Sequence, residues 1–300
     1  MKLYYLFILF GLYTVCPLQA GNELREQLQG IIAKVDAQVG VALIVDGKDT
    51  LTLNNEAHYP LMSVMKYHQA LAVAHYLDVH RLPLSTSIPI EEEDLHPDTY
   101  SPLRDRYPKG GVRLSVSELL TYTLQLSDNN ACDILFDYTG GVAQTESYLR
   151  SIGCSGFALS ATENDMHQDL SRCYDNWSTP LSAAQLMDRL VTDTLPIDTT
   201  YTRFIRETLL SCQTGKSRLP FPLQGTDVQI GHKTGTSDRN AQGEWIGIND
   251  VGFVLLPDGK RYTLAVLVKH SKHRFEDTEK IIADVSTAVF RFLTGSMVSF

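Results

Sequence analysis

The chain has 300 residues, 43% of them hydrophobic and 20% charged, a composition that fits one large globular domain or two lobes. A net charge of −9, with no basic block or basic-aromatic stripe, excludes a nucleic-acid surface and points to a small-molecule or protein partner.

The first twenty residues, MKLYYLFILFGLYTVCPLQA, carry one lysine, an apolar run and a small residue at position 20. That is the layout of a secretory signal peptide removed after residue 20, and the apolar run, which ends at Pro17, is short for a membrane span. Cys16 offers a rival lipid anchor, but the YTV before it lacks the expected small residues. Either reading takes the protein out of the cytoplasm. Beyond the leader, Leu24, Leu28, Ile31, Ile32 and Val35 share one helical face over residues 23–36. The stretch VGVALIVDGKDTLTLN predicts two strands turning at Asp46-Gly47. Residues 62–212 predict an all-α lobe. Ser115 and Glu118 form a capping box there, and a helix over 144–152 stops at Gly153. Strands return after residue 225, with a turn at Pro257-Asp258-Gly259, and a final helix runs over about 276–293. The order predicts an α/β protein of two lobes. Residues 21–61 and 213–300 supply an antiparallel sheet of about five strands with flanking helices, and the helical lobe is inserted between them. The join between the lobes is a natural cleft.

Three short patterns carry chemistry. Ser63 and Lys66 are three apart at the opening of the helical block, so they share a helix face. Near a helix start, free N–H groups favour developing negative charge, which suits a nucleophile. Ser127-Asp128-Asn129 sits on a turn between helices, where Asp or Asn also serves simply to cap the next helix. Lys233-Thr234-Gly235-Thr236 lies on a strand whose polar face suits either an aggregation-blocking edge or a docked ligand. Each pattern is weak alone. Their order along the chain is much stronger, and it is the trio of class A β-lactamases and penicillin-binding proteins.

On these motifs the chain resembles a class A serine β-lactamase along essentially its whole mature length. The resemblance implies a two-lobe fold like that of serine β-lactamases and penicillin-binding proteins, with no cofactor. It also implies a β-lactam substrate, a monomeric periplasmic or secreted enzyme and no stable membrane partner. Ser63 would be acylated, with Lys66 helping to remove its proton. Ser127 would relay a proton to the leaving nitrogen beside Lys233. Asn129 would hold the substrate's side-chain amide. Thr234, Gly235, Thr236 and Ser237 would line its carboxylate site, and the N–H groups of Ser63 and Thr236 would form the oxyanion hole. Glu163, in SATENDMHQDLSRCYDNW, would position the deacylating water, and Tyr100 would form the cleft wall.

The sequence departs from the commoner family pattern at Ala161, where an arginine is usual, and at His167, where an asparagine is usual. The familiar salt bridge across that loop therefore cannot form in the same way. These departures resemble the branch that hydrolyses cephalosporins and extended-spectrum substrates. His167 either holds the deacylation water with Glu163 or packs the loop. Arg218, then Arg274, is the candidate for the carboxylate pocket's arginine. Cys132, Cys154, Cys173 and Cys212 lack zinc-type spacing and read as free thiols or one disulfide. The histidines form no zinc-like cluster, so no metal site is expected. The alternatives are a D,D-peptidase or transpeptidase, which need not carry Glu163, and a non-catalytic β-lactam sensor.

Overall fold

The computed structural model describes residues 17–295, with side chains from residue 22; residues 1–16 of the expected leader, Cys16 included, lie outside the described residues. Helix α1 (Pro17–Ile32) leads into β1 (Gln38–Val45) and β2 (Asp49–Leu53). The turn between these strands has φ of 50° at Asp46 and 69° at Gly47. That pair of left-handed residues matches the right-handed twist of a hairpin. The chain then passes β3 (Tyr59–Pro60), a 3₁₀ turn at Met62–Val64, α2 (Met65–His80), β4 (Ser87–Ile90), α3 (Pro102–Arg106) and β5 (Val112–Ser115). Next come α4 (Val116–Gln125), α5 (Asn129–Tyr138), α6 (Val142–Ser151), β6 (Phe157–Ala158), α7 (Glu163–Gln168) and β7 (Trp177–Ser178). Helices α8 (Pro180–Val191) and α9 (Thr199–Leu210) lead back to β8 (Gln229–Thr236), β9 (Ile248–Leu255), β10 (Arg261–Lys269) and α10 (Phe275–Thr294).

The main sheet has five strands in the order β2-β1-β10-β9-β8, and every neighbouring pair is antiparallel. Alternation along β1 sends Val39, Val41 and Leu43 to one face and Ala42 and Ile44 to the other. The first set meets Leu24 and Leu28 of α1 and Ile281, Val285 and Val289 of α10. The second set belongs to the core that contains α8 and the helical segment. Each Leu, Ile or Val fully buried in these cores contributes about 1.5–3 kcal/mol. Strand β8, which carries the lysine-threonine-glycine motif, is an edge of this sheet.

Two local expectations shift. Helix α1 ends at Ile32, and Val35 reaches the same core through a turn and not through a further helical turn. The 62–212 segment is not purely helical, because four short strands interrupt it. β4 pairs with β5, and its alternating Ile88 and Ile90 point into the helical core. β6 and β7 pair beside β3, tying the loop between them to the approach to Ser63.

At the centre of the helical segment, residues 65–74 of α2 are buried on all sides. A helix buried all round needs every polar side chain paired. Gln69 meets this only in part: it donates through Nε2 to the Cys132 carbonyl at 2.6 Å, while its Oε1 has no hydrogen-bond partner among the described residues. Burial pushes the His68 imidazole down to about 3, so it stays neutral against the Val64 carbonyl.

Candidate active site

Ser63 lies in the 3₁₀ turn that feeds α2, after Met62, whose φ of 50° is left-handed. Such strain at a non-glycine residue needs a surrounding that over-determines it. Asn249 of β9 supplies part of that hold, donating through Nδ2 to the carbonyls of Pro60 (2.7 Å) and Leu61 (3.2 Å). Gly235 of β8 supplies another part by its size. A β-carbon there would sit 2.5 Å from the Leu61 carbonyl oxygen and 3.1 Å from Met62 Cβ. The glycine of the strand motif is thus what lets β8 run directly against the turn that carries Ser63.

Lys66 is fully buried, and its Nζ is ringed by oxygen. It donates to Ser63 Oγ (3.1 Å), Ser127 O (2.7 Å) and Asn129 Oδ1 (2.6 Å), and it pairs with Glu163 Oε1 at 2.9 Å. An ammonium has three protons for these four acceptors. Ser63 Oγ donates in turn to Glu163 Oε1 at 3.3 Å. The serine proton therefore faces the carboxylate, and the ammonium faces the serine oxygen. A proton leaving Ser63 has a direct path to Glu163.

The strand side differs. Lys233 is also fully buried, but its Nζ donates to Ser127 Oγ (2.9 Å) and the Thr234 carbonyl (3.0 Å), and no carboxylate among the described residues is in hydrogen-bond contact with it. Burial and the nearby Lys66 charge pull it down to about 8, against support from Cys212, Glu163 and Asp250. Thr234 Oγ1 lies 2.7 Å from Thr214 Oγ1. Arg218 is 2% exposed. Its guanidinium pairs with Glu279 at 2.9 Å, donates to the carbonyls of Gly235 and Asn249, and reaches Thr236 Oγ1 at 2.7 Å. Arg274 instead sits at the start of α10 on the surface, where it pairs with Asp277 and Glu276. Of the two candidate arginines, only Arg218 lines the cleft.

Ser127 sits at a left-handed φ of 62°, which turns the chain between α4 and α5. Asp128, fully buried, caps α5 through the Ala131 N–H (2.9 Å) and accepts from Leu103 N (2.6 Å) and Ser101 Oγ (3.0 Å). It therefore fastens the Tyr100-Ser101 wall to the motif turn. Asn129 completes the turn by donating through Nδ2 to Thr99 Oγ1 at 2.7 Å.

Glu163 opens the short helix α7, which Thr162 and Asp165 start with a capping box. In place of a salt bridge at residue 161, Asp133 of α5 accepts the backbone N–H groups of Glu163 and Asn164, both at 2.8 Å. Burial and the Glu163 charge push the Asp133 carboxyl up to about 7, although those two N–H groups oppose the rise. Asn176 holds the start of the loop, accepting from Ser160 and Ala161 N–H and donating to the Ala161 carbonyl.

A cleft of about 600 Å³ gathers Ser63, Tyr100, Ser127, Asn129, Glu163, His167, Arg218, Thr234, Thr236 and Ser237 in its wall. Lys66, Lys233 and Gly235 are buried and are not part of this wall. Tyr100 is exposed at the rim. Ser237 lines the cleft, yet its Oγ also accepts the Gly247 N–H at 2.9 Å. Sequence reading missed Asp133, Thr214 and Thr99. Asp133 carried a usable signal, because it follows Asn129 by four positions on α5 and so shares its face. Thr214 and Thr99 carried none, since each meets its partner only through the tertiary fold. The four described cysteines are free thiols. Among the described residues no group of His, Cys, Asp and Glu is arranged to hold a metal, and no helix is long and apolar enough to cross a membrane.

A buried serine–lysine–carboxylate cluster in a cleft between a helical segment and a sheet edge defines a serine acyl-transfer centre. The family model described as "Beta-lactamase enzyme family" matches residues 23–293. A Bacteroides uniformis beta-lactamase is 37% identical over 97% of this chain and 99% of its own length. Beta-lactamase VEB-1 of Pseudomonas aeruginosa is 34% identical over 90% of each. Among solved structures, a class A beta-lactamase from Bacteroides cellulosilyticus superposes with a TM-score of 0.87 at 38% identity, covering 92% of this chain and 99% of that one. The chain belongs to the beta-lactamase enzyme family, in class A, and is a β-lactam hydrolase.

Proposed function

We propose that this chain opens β-lactam rings through an acyl-enzyme on Ser63 and then hydrolyses that ester with a water activated by Glu163. The observation that carries the reading is Ser63 Oγ held between Lys66 Nζ (3.1 Å) and Glu163 Oε1 (3.3 Å). On attack, the serine proton passes to Glu163 and the N–H groups of Ser63 and Thr236 take the oxyanion. Ser127, hydrogen-bonded to Lys233, protonates the departing nitrogen. Thr234, Thr236 and Arg218 hold the substrate carboxylate, and Asn129 holds its amide. His167 lies four residues after Glu163 on α7 and lines the same cleft, which supports the reading in which it shares the deacylating water over the one in which it only packs the loop.

Cephalosporins and extended-spectrum substrates are the preferred class in this reading. Its support is the pairing of Ala161 with His167 and the similarity to proteins named extended-spectrum beta-lactamases, PER-1 and TLA-1. A kcat/KM comparison between a penicillin and a cephalosporin tests it, and a clear penicillin preference would overturn it. The leader supports export to the periplasm or beyond; the reading further takes the protein as a monomer that confers resistance there, with lobes that meet near residues 61 and 213. Steady-state assay with a chromogenic cephalosporin tests the central reading. Sustained turnover is expected, whereas one stoichiometric burst would favour a peptidase or a sensor.

A further inference from the structure

Between α9 and β8 the chain makes a turn that the hydrolytic scheme uses at one end only, through Arg218. Gln213 fixes its start, donating its N–H to the Gln125 carbonyl at the end of α4 at 3.0 Å. The Arg218 N–H closes it on the Gly215 carbonyl at 2.9 Å. Gly215 has a left-handed φ of 64°, and a β-carbon there would collide with Thr234 Cγ2. The turn therefore packs directly on the Thr234 methyl, while Thr214 Oγ1 meets the Thr234 hydroxyl at 2.7 Å. With its methyl and its hydroxyl both engaged by the turn, Thr234 is confined to one χ1 rotamer.

Thr234 and Thr236 are two apart on β8, so their side chains share a face, and both line the cleft. Each hydroxyl has a single hydrogen. Thr236 Oγ1 receives a hydrogen bond from Arg218 Nη2 at 2.7 Å. A guanidinium only donates, so the Thr236 hydrogen is left for an acceptor in the cleft. Thr234 has no such one-way partner, because the Thr214 hydroxyl can donate or accept. Thr234 is also buried where Thr236 is exposed, so water readily serves the second hydroxyl while the first depends on its protein partner.

We propose that Thr214 is a positioning residue for β-lactam binding: in the complex it donates to Thr234 Oγ1 and so leaves the Thr234 hydrogen for the substrate's carboxylate. The inference rests on the carboxylate site of the proposed function. A carboxylate accepts and cannot donate. Were Thr234 to spend its hydrogen on Thr214, two oxygens would face each other across the site. With Thr214 as the donor, the substrate oxygen meets a hydrogen. The two ends of one turn, Thr214 and Arg218, thus set the direction of the two hydroxyls on β8, and Thr214 acts through Thr234 alone.

The test is steady-state kinetics with a chromogenic cephalosporin, supplied as its free acid and as its carboxyl methyl ester. The proteins are the parent, Thr214→Val, Thr214→Ser, Thr234→Val and the Thr214→Val/Thr234→Val double variant. Valine keeps threonine's branching and removes the hydroxyl. For the acid, Thr214→Val should raise KM about threefold to tenfold, the scale of one hydrogen bond, with kcat within about twofold of the parent. The ester should be handled alike by both proteins. Thr214→Ser, which keeps the hydroxyl, should restore the parent KM for the acid. In the Thr234→Val background, Thr214→Val should add nothing, because the group it orients is gone. A parent that does not turn over the acid would bring down the proposed function and this inference together. A working parent sinks the inference alone if Thr214→Val leaves the acid's KM unmoved, if acid and ester lose equally, if serine does not rescue, or if the Thr214 effect survives Thr234→Val.

Discussion

The two buried lysines of the cleft have the same side chain and opposite surroundings. Lys66 faces four oxygens, one of them a carboxylate at 2.9 Å. Lys233 faces a hydroxyl and a carbonyl, with Lys66 as its charged neighbour, and is pulled down to about 8. In the proposed scheme the first environment serves proton movement between a serine and a carboxylate, and the second keeps one positive charge beside the substrate and passes its influence through Ser127. A buried lysine's role is thus set by what completes its donor shell and not by its depth.

The contrast breaks most sharply at the nucleophile. Ser63→Ala should lower turnover on the order of 10⁶-fold, the scale found when a serine nucleophile is removed from another hydrolase. Intact mass after mixing with a cephalosporin should show no adduct, and an adduct on another residue would reassign the site. On the strand side, Gly235→Ala should press a methyl into the Leu61 carbonyl, since its β-carbon would lie at 2.5 Å. Displacing the Ser63 turn by a fraction of an ångström should cost about 10²-fold in kcat, with about 1–3 kcal/mol of stability from overpacking. Single-turnover acylation rates and urea melts measure the two effects.

The Lys233 side is sharpened by pH. Its ammonium is the working form, so kcat/KM should fall as pH rises through about 8. Lys233→Arg, which keeps its charge at any usable pH, should lose that limb even if its plateau is lower. A limb unchanged in the variant would place the titration elsewhere. The smallest effect concerns Asp133. Its carboxyl is held up at about 7, so the folded state binds a proton that the unfolded chain has released above about 4. Stability from this group therefore falls as pH rises from about 4 to 7. Asp133→Asn has no such proton, and its Tm should decline less between pH 5 and pH 8 than the parent's.

Much of this was legible because it is local. The Asp46-Gly47 turn, the Ser115 capping box and the three motifs are set by residues within a few positions of one another. The motifs' shared cleft followed from their order. What was not legible joins distant segments. Asp133 replaces a missing salt bridge by capping a helix thirty residues on, and Thr214 meets Thr234 across a loop and a strand. The left-handed Met62 also carries no sequence signal, because its strain is imposed by Asn249 and β8 rather than by its own type. The short strands within residues 62–212 escaped for a related reason: two-residue pairings such as β6 with β7 are too brief to leave a period.

The central claim is that Glu163 is the base for deacylation, and the Glu163→Gln variant tests it most directly. The amide keeps the side chain's size but loses its charge and nearly all its basicity, and general-base assistance is worth about 10²–10⁴-fold. The measurement is intact-mass spectrometry at successive times after mixing this variant with a cephalosporin. The account predicts a covalent adduct on Ser63 that forms and then persists, its release slowed about 10²–10⁴-fold relative to the parent. An adduct that clears as fast as in the parent would contradict it and move the search for the deacylating carboxylate to Asp165 or Asp169.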